Sequence, residues 1–257
     1  MAKMGVNEMD REKRNLKLTI AYDGSGYHGF QRQLNACTVQ QVLEEKLSNL
    51  LNERIAVAGA ARTDAGVHAY GQVVSFWTES AIPTERIPIA MAGVLPRDIA
   101  VIDAASMPVN FHARFSSCSK IYLYRIHNTT VPNPLLRNHA WQVHRQLDAE
   151  AMHEALQSLA GEHDFSSFQA AGSSARNPVR TLYAVKCERQ GNNIEFLFHG
   201  NGFLYHMVRN IVGTAVDVGM GKITQADFQS IFSGRDRTVA GATAPPNGLY
   251  LQEIFYK

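Results

Sequence analysis

Apolar positions recur along this chain with two periods, and the switches between them mark out its elements. Residues Leu16–Tyr22 alternate and run into a glycine turn, which predicts a strand. Thr38 and Gln41 form a T-x-x-Q capping box that opens a helix. Val39, Val42, Leu43, Leu47, Leu50 and Leu51 then share one helix face. Strands follow near Ile55–Ala60 and at Gln72–Trp77. A short helix near Ile87–Val94 and a strand near Ile99–Asp103 complete the first half.

The second half starts near Met107-Pro108. It reads as a strand at Lys120–Asn128, a short strand at Ala140–Val143 and a helix at Asp148–Leu159. Residues 161–180 read as a loop. Strands at Thr181–Glu188 and Asn193–His199 precede a strongly periodic helix at Leu204–Val218. A helix at Thr224–Phe232 and a strand at Leu249–Phe255 complete the pattern. Strands and helices mix without strict βαβ alternation. The expected class is therefore α+β with a largely antiparallel sheet, not a doubly wound fold. Two halves of similar size point to a duplicated α/β unit, with no clean sequence repeat to mark it. The expected organisation is a mobile polar tail over 1–15, an N-terminal α/β domain over 16–108 and a C-terminal α/β domain over 109–257.

Composition narrows the class. At 257 residues and 45% apolar, the chain can bury a sizeable core. No apolar run approaches the length of a membrane span, and the first residues carry no apolar secretory region. The three cysteines, Cys37, Cys118 and Cys187, are odd in number and far apart. A disulfide framework or Cys-rich zinc site is not expected, and a reducing, cytoplasmic compartment is. Charge is unevenly spread. Residues 111–147 contain Arg114, Lys120, Arg125, Arg137 and Arg145, four histidines and no acid. Phe111, Phe115, Tyr122, Tyr124 and Trp141 are interleaved with them, with Tyr122 and Tyr124 on one strand face. Basic residues among aromatics suit RNA, where bases stack on rings; a solvated basic face over core aromatics is the plainer alternative.

Gly24-Ser25-Gly26-Tyr27-His28-Gly29 matches G-x-G-x-x-G. The dinucleotide fingerprint also needs a helix opening at those glycines and a strand-terminal acid further on. The helix opens only at Thr38, so this stretch is expected to be a turn. The segment Gly59–Ala69 is more informative. Small residues flank Arg62-Thr63-Asp64, so the backbone can approach a ligand closely. A guanidinium beside a carboxylate favours its charged form, and a charged Asp suits a nucleophile rather than a general acid. The alternative is an Asx-turn, with Asp64 tying its own loop. No second acid lies between Asp64 and Glu79, as paired-carboxylate chemistry would need nearby, and no G-x-S-x-G elbow is present. Glu162-His163-Asp164, His112 and His68 lack metal-ligand spacing and read as hydrogen-bonding or capping groups. In the helix at 204–218, His206, Arg209, Asn210 and Gly213 fall opposite the apolar stripe. Arg209 is thus free to enter a cleft and pair with a carboxylate, or to stand on the surface.

Taken together, these residues resemble the TruA family of tRNA pseudouridine synthases. The likeness runs from Leu18 to about Phe255. It rests on ordered blocks: Tyr22-Asp23-Gly24 with Gly29-Phe30-Gln31-Arg32-Gln33, Arg62-Thr63-Asp64-Ala65-Gly66-Val67-His68-Ala69, and Phe111-His112-Ala113-Arg114-Phe115. Lys120-Ile121-Tyr122-Leu123-Tyr124, Gly161-Glu162-His163-Asp164-Phe165, His206-Met207-Val208-Arg209-Asn210-Ile211-Val212-Gly213 and Gly248-Leu249-Tyr250-Leu251 continue the series.

The resemblance implies a pseudouridine synthase fold with a central catalytic cleft. It also implies an isomerisation: the bond from uracil N1 to ribose breaks, the base turns, and it rejoins through C5. No cofactor or metal is implied. Asp64 would be the nucleophile, Arg209 its ion-pair partner, Tyr122 the surface against the target base, and Arg62 a hold on the flipped nucleotide. The implied targets are uridines 38, 39 and 40 of the tRNA anticodon arm, bound by a homodimer, with Arg32, Gln33, His68, Arg114, Lys120 and Arg180 as RNA contacts. Extruding such a base costs a few kcal/mol. One position departs from the family pattern, where Gly usually precedes R-T-D and this chain has Ala61. Ala would strain a turn of positive φ there, and would be accommodated if the position needs only close packing. Two rivals are a catalytically dead RNA binder of the same fold and an N-glycosidic hydrolase that releases free uracil.

Overall fold

The computed structural model describes residues 13–173 and 175–257, and in it the alternating segments join into one continuous sheet. The first half supplies β1 (Arg14–Tyr22), α1 (Val39–Leu51), β2 (Ala58–Gly59), β3 (His68–Thr78), α2 (Ile87–Ala92) and β4 (Ile99–Met107). The second supplies β5 (Ser117–Asn128), β6 (Trp141–Val143), α3 (Ala149–Gln157), β7 (Gly161–Asp164), β8 (Val179–Gln190), β9 (Asn193–Gly200), α4 (Met207–Gly219), α5 (Gln225–Gly234) and β10 (Leu249–Tyr256). The strand order is β4-β1-β3-β10-β5-β9-β8-β7, with β2 beside β3 and β6 beside β5. Only β3–β10 and β5–β6 pair in parallel; the other pairs are antiparallel. The class is thus α+β with a mostly antiparallel sheet.

The two halves meet where β10 lies between β3 and β5. On the β3 side the joint is short: Tyr250 pairs with His68 and Leu251 with Ala69. The core follows the periodicities. Leu16, Leu18 and Ile20 of β1 are fully buried, as are Val39, Leu43 and Leu47 of α1. Thr38 accepts a hydrogen bond from the Gln41 N–H, but the Gln41 side chain binds Glu45 instead of returning to Thr38. Only half of the expected capping box forms there. A complete one opens α5, between Thr224 and Asp227.

Four expectations need adjusting. β1 starts at Arg14, inside the expected tail. Arg14 Nη2 donates to the Ser80 and Ile82 carbonyls, and the Asn15 amide to those of Pro108 and Phe111. The rest of the expected tail, residues 1–12, lies outside the described residues. The expected loop 161–180 opens with β7, where Gly161–Asp164 pairs with Leu182–Val179. Residues of this strand are polar and half-exposed, so they carry no alternation to read. α4 starts at Met207 rather than Leu204, because His206 takes left-handed backbone angles (φ 58°). Finally, the side of α4 opposite its apolar stripe does not face water. Asn210 is fully buried, donating to the Phe168 carbonyl and accepting from Arg237 and Thr243. At Gly213 a Cβ would lie 1.7 Å from the Ala242 carbonyl oxygen.

That last contact makes Gly213 a position where one methyl group cannot be absorbed. The variant Gly213→Ala should lose about 2–3 kcal/mol of unfolding free energy, read as a lowered urea midpoint at unchanged slope. A midpoint equal to that of wild type would show that segment 240–244 yields easily.

Candidate active site

A cleft of about 740 Å³ opens where the halves meet. One wall is the loop from Ala60 to Val67, between β2 and β3, and the structure fixes it from several sides. The fully buried Gln72 accepts from the Ala61 N–H at 3.1 Å and donates to the Ala61 carbonyl at 2.8 Å. Lys120 Nζ donates to the Ala60 carbonyl at 2.8 Å. The Phe30 N–H donates to the Thr63 carbonyl, and the Tyr22 hydroxyl lies 2.7 Å from Thr63 Oγ1. The G-x-G-x-x-G stretch is the turn expected of it, and it packs against this loop. A Cβ at Gly24 would lie 2.0 Å from the Val67 carbonyl oxygen. Gly29 has φ 86°, and a Cβ there would come within 2.6 Å of the Thr63 carbonyl oxygen. Those glycines let two turns press together. Among the described residues, positive φ at non-glycine positions occurs only at Asn52, His206 and Arg235. Ala61 therefore carries no such strain, and its methyl group is simply packed.

Asp64 does not fold back on its own loop. The turn there closes through backbone, from the Val67 N–H to the Asp64 carbonyl. The carboxylate reaches across the cleft instead. Its Oδ2 accepts from Arg209 Nη1 at 2.8 Å and lies 3.2 Å from His206 Nε2. Both partners stand at the start of α4. Arg209 is itself held, since its Nε donates to the Ala244 carbonyl at 2.8 Å. The Arg209 side chain is 12% exposed and that of Asp64 23%, so the pair is shielded from water without being sealed off. No described residue hydrogen-bonds Oδ1. Burial pushes the His206 imidazole toward its neutral form; the Asp64 carboxylate pulls the other way, and Arg209 and Arg237 add to the push.

Tyr122, on β5, lines the cleft beside this pair, with Phe203 edge-on to its ring at 4.9 Å. Burial, helped by Tyr22 and Asp64, raises its phenol well above the ordinary range, so the hydroxyl keeps its proton at neutral pH. Tyr124 shares the strand face but is fully buried and donates to the Pro245 carbonyl, so it belongs to the core. Of the two Phe residues flanking His112 and Arg114, Phe115 is exposed, with the Arg114 guanidinium 5.7 Å from its ring centre.

The structure brings Arg62, Asp64, Tyr122, Arg209, Gln33, Arg114, Lys120 and Arg180 to the cleft wall. Among the described residues no carboxylate comes within ion-pair distance of Arg62. Lys120 is largely enclosed, and burial with Arg114 nearby pushes its amine down to about 8. Two expected RNA contacts stand apart. Arg32 does not line the cleft, and its Nε is paired with Glu44 at 2.9 Å. His68 is 2% exposed, accepts from the Gly24 N–H, bonds the Asn138 carbonyl and stacks on Tyr250. Asp23 and His139 stand near His68, but the Gly24 N–H already occupies the nitrogen that faces them. His206 is the site residue that residue-by-residue reading passed over. Its place just before Met-Val-Arg-Asn was visible; the left-handed turn that aims it at Asp64 was not.

Residues 18–116 and 155–257 match the family model described as tRNA pseudouridine synthase. The chain is 46% identical to tRNA pseudouridine synthase A of Acetivibrio thermocellus over 243 residues, covering 95% of this chain and all of that one. It is equally 46% identical, over 244 residues, to the protein of the same name from Ruminiclostridium cellulolyticum, again covering 95% of this chain and all of the relative. Among solved structures it has a TM-score of 0.39 and 12% identity with a chain of an H/ACA RNP bound to a substrate RNA containing 2′-deoxyuridine, over 78% of this chain and 44% of that one. With both halves covered by the family model and near full-length relatives at 46% identity, the chain belongs to the tRNA pseudouridine synthase family of isomerases.

Proposed function

We propose that this chain isomerises uridine to pseudouridine at positions 38, 39 and 40 of the tRNA anticodon arm, with Asp64 as the nucleophile and no cofactor. The observation that carries this reading is the Asp64 carboxylate. It faces the cleft and is held at 2.8 Å by an arginine that is itself bonded to backbone. Near neutrality on both sides of the reaction is a property of the chemistry: N1 loses the ribose carbon and gains a proton, while C5 loses a proton and gains that carbon. A group that forms and releases a bond to the nucleotide needs a free oxygen held in place, which the Asp64–Arg209 pair supplies. Tyr122 supplies a flat apolar surface for the base. Its protonated phenol supports a stacking role rather than removal of the C5 proton in its resting state. Arg62, at the cleft wall and without a carboxylate partner among the described residues, suits the phosphate or ribose edge of an extruded nucleotide.

Arg114, Lys120 and Arg180 form a basic border to the cleft, which supports a polyanionic substrate whose backbone offsets the cost of extrusion. By the same resemblance, the enzyme works as a homodimer in the cytoplasm. No helix among the described residues is long and apolar enough to cross a membrane, and all three cysteines are free.

Three measurements test this reading. With tRNA transcripts tritiated at uridine C5, wild type should release tritium to water without free uracil, and Asp64→Asn should release none above background. Free uracil would establish a hydrolase, and release by both proteins would remove Asp64 from the chemistry. Arg209→Ala should lower single-turnover rate roughly 10²–10³-fold while tRNA Kd moves less than about threefold. Equal losses in both would make Arg209 an RNA contact. In filter binding, Arg114→Ala should reduce the slope of log Kd against log salt by about 1. Arg32→Ala, whose guanidinium is committed to Glu44, should leave that slope unchanged.

A further inference from the structure

We infer that His206 is a positioning residue for the nucleophile: its imidazole, with Nε2 3.2 Å from Asp64 Oδ2, braces the carboxylate beside Arg209, so that Oδ1 is presented to the nucleotide. The inference rests on the reading of Asp64 as nucleophile. Three observations carry it.

The first is convergence. Arg209 Nη1 and His206 Nε2 approach the same oxygen, at 2.8 and 3.2 Å, one from the first turn of α4 and one from the residue just before it. One donor fixes an oxygen but leaves the carboxylate free to swing about that bond. A ring set against the same oxygen at 3.2 Å limits that swing and leaves Oδ1 as the free oxygen. No described residue bonds Oδ1.

The second is the backbone. His206 stands at φ 58°, where side chains other than glycine are strained. Glycine meets this need at Gly29, Gly66, Gly161, Gly172, Gly191 and Gly221; the other two described side chains at positive φ, Asn52 and Arg235, both close helix C-termini, whereas His206 stands at a helix N-terminus. A glycine before Met207 would enter α4 without strain, yet an imidazole is kept. It does not cap its own helix, whose first N–H groups receive no side-chain bond from it. Its one polar contact among the described residues is Asp64, and Tyr205 packs against its ring at 3.9 Å between centres. Strain of this kind survives where the surroundings enforce it for a purpose.

The third is charge. Arg209 already balances the carboxylate. A second full cation on Oδ2 would draw further electron density from the oxygen that must attack. A neutral imidazole orients without adding charge, and burial, with Arg209 and Arg237 nearby, favours that form against the pull of Asp64.

The test uses His206→Gly, which suits the left-handed backbone and vacates the space of the ring. It should fold with a Tm no lower than that of wild type and bind tRNA with a Kd within about twofold. Its single-turnover tritium release should fall roughly tenfold to a hundredfold, the scale of a misplaced reacting group. Added imidazole should restore that rate saturably, and His206→Gln, whose side-chain amide can donate from a similar position, should stay within about fivefold of wild type. A His206→Gly enzyme at wild-type rate overturns the inference, as does a loss that neither imidazole nor the Gln variant recovers. Asp64→Asn, run beside it with imidazole, keeps the two readings apart. Activity in that variant removes the nucleophile itself, whereas an inert Asp64→Asn with a fully active His206→Gly removes only the role of His206.

Discussion

The ion pair between Asp64 and Arg209 is the interaction on which the site depends. Its partners are 145 residues apart and belong to different halves of the chain. Those halves share a sheet, but the β3–β10 seam is short. This ion pair and the Lys120 bond to the Ala60 carbonyl both tie the loop after β2 to the second half. Pairs of this kind bring modest net stability, because desolvation offsets much of the attraction. Their worth lies in geometry: a carboxylate taken partly out of water, aimed by a guanidinium that is anchored to backbone through Ala244.

Much of the surrounding structure serves to keep that carboxylate where it is. Gln72 clamps the backbone of Ala61, Tyr22 and Phe30 hold Thr63, and the glycine turn at 24–29 presses on the loop from outside. On the opposite wall, α4 is buried along most of its surface, with Arg209 left facing the cleft. The segment 237–244 packs over Asn210 and Gly213 and returns the Ala244 carbonyl to Arg209. Function here resides in two rigid walls, each built from local packing, with the cleft as the space left between them.

The elements were largely legible in the sequence because most strands and helices bury one face, and burial of one face is what periodicity records. β7 escaped because its short run, Gly161–Asp164, is polar and half-exposed throughout. The enclosure of Asn210 and Gly213 escaped because a polar residue on a helix reads as solvent-facing unless the covering segment is known. The R-T-D segment was legible as chemistry, but its partner was not fixed by spacing. Arg62, two residues away, is the nearer guanidinium in sequence, and Arg209 is the one that binds. His68 shows the same limit in reverse. It sits in the block that carries Asp64, yet strand pairing turns it inward against Tyr250.

The central place of β10 has a consequence for how the enzyme is made. β10 follows every other element along the chain, yet it lies between β3 and β5. On the ribosome, the strands of the first half can pair among themselves, and so can β5 to β9, before β10 has left the exit tunnel. Until it does, the strand that pairs with both β3 and β5 in the finished sheet is missing. The seam that sets the two walls of the cleft against each other is therefore the last part of the sheet to be synthesised.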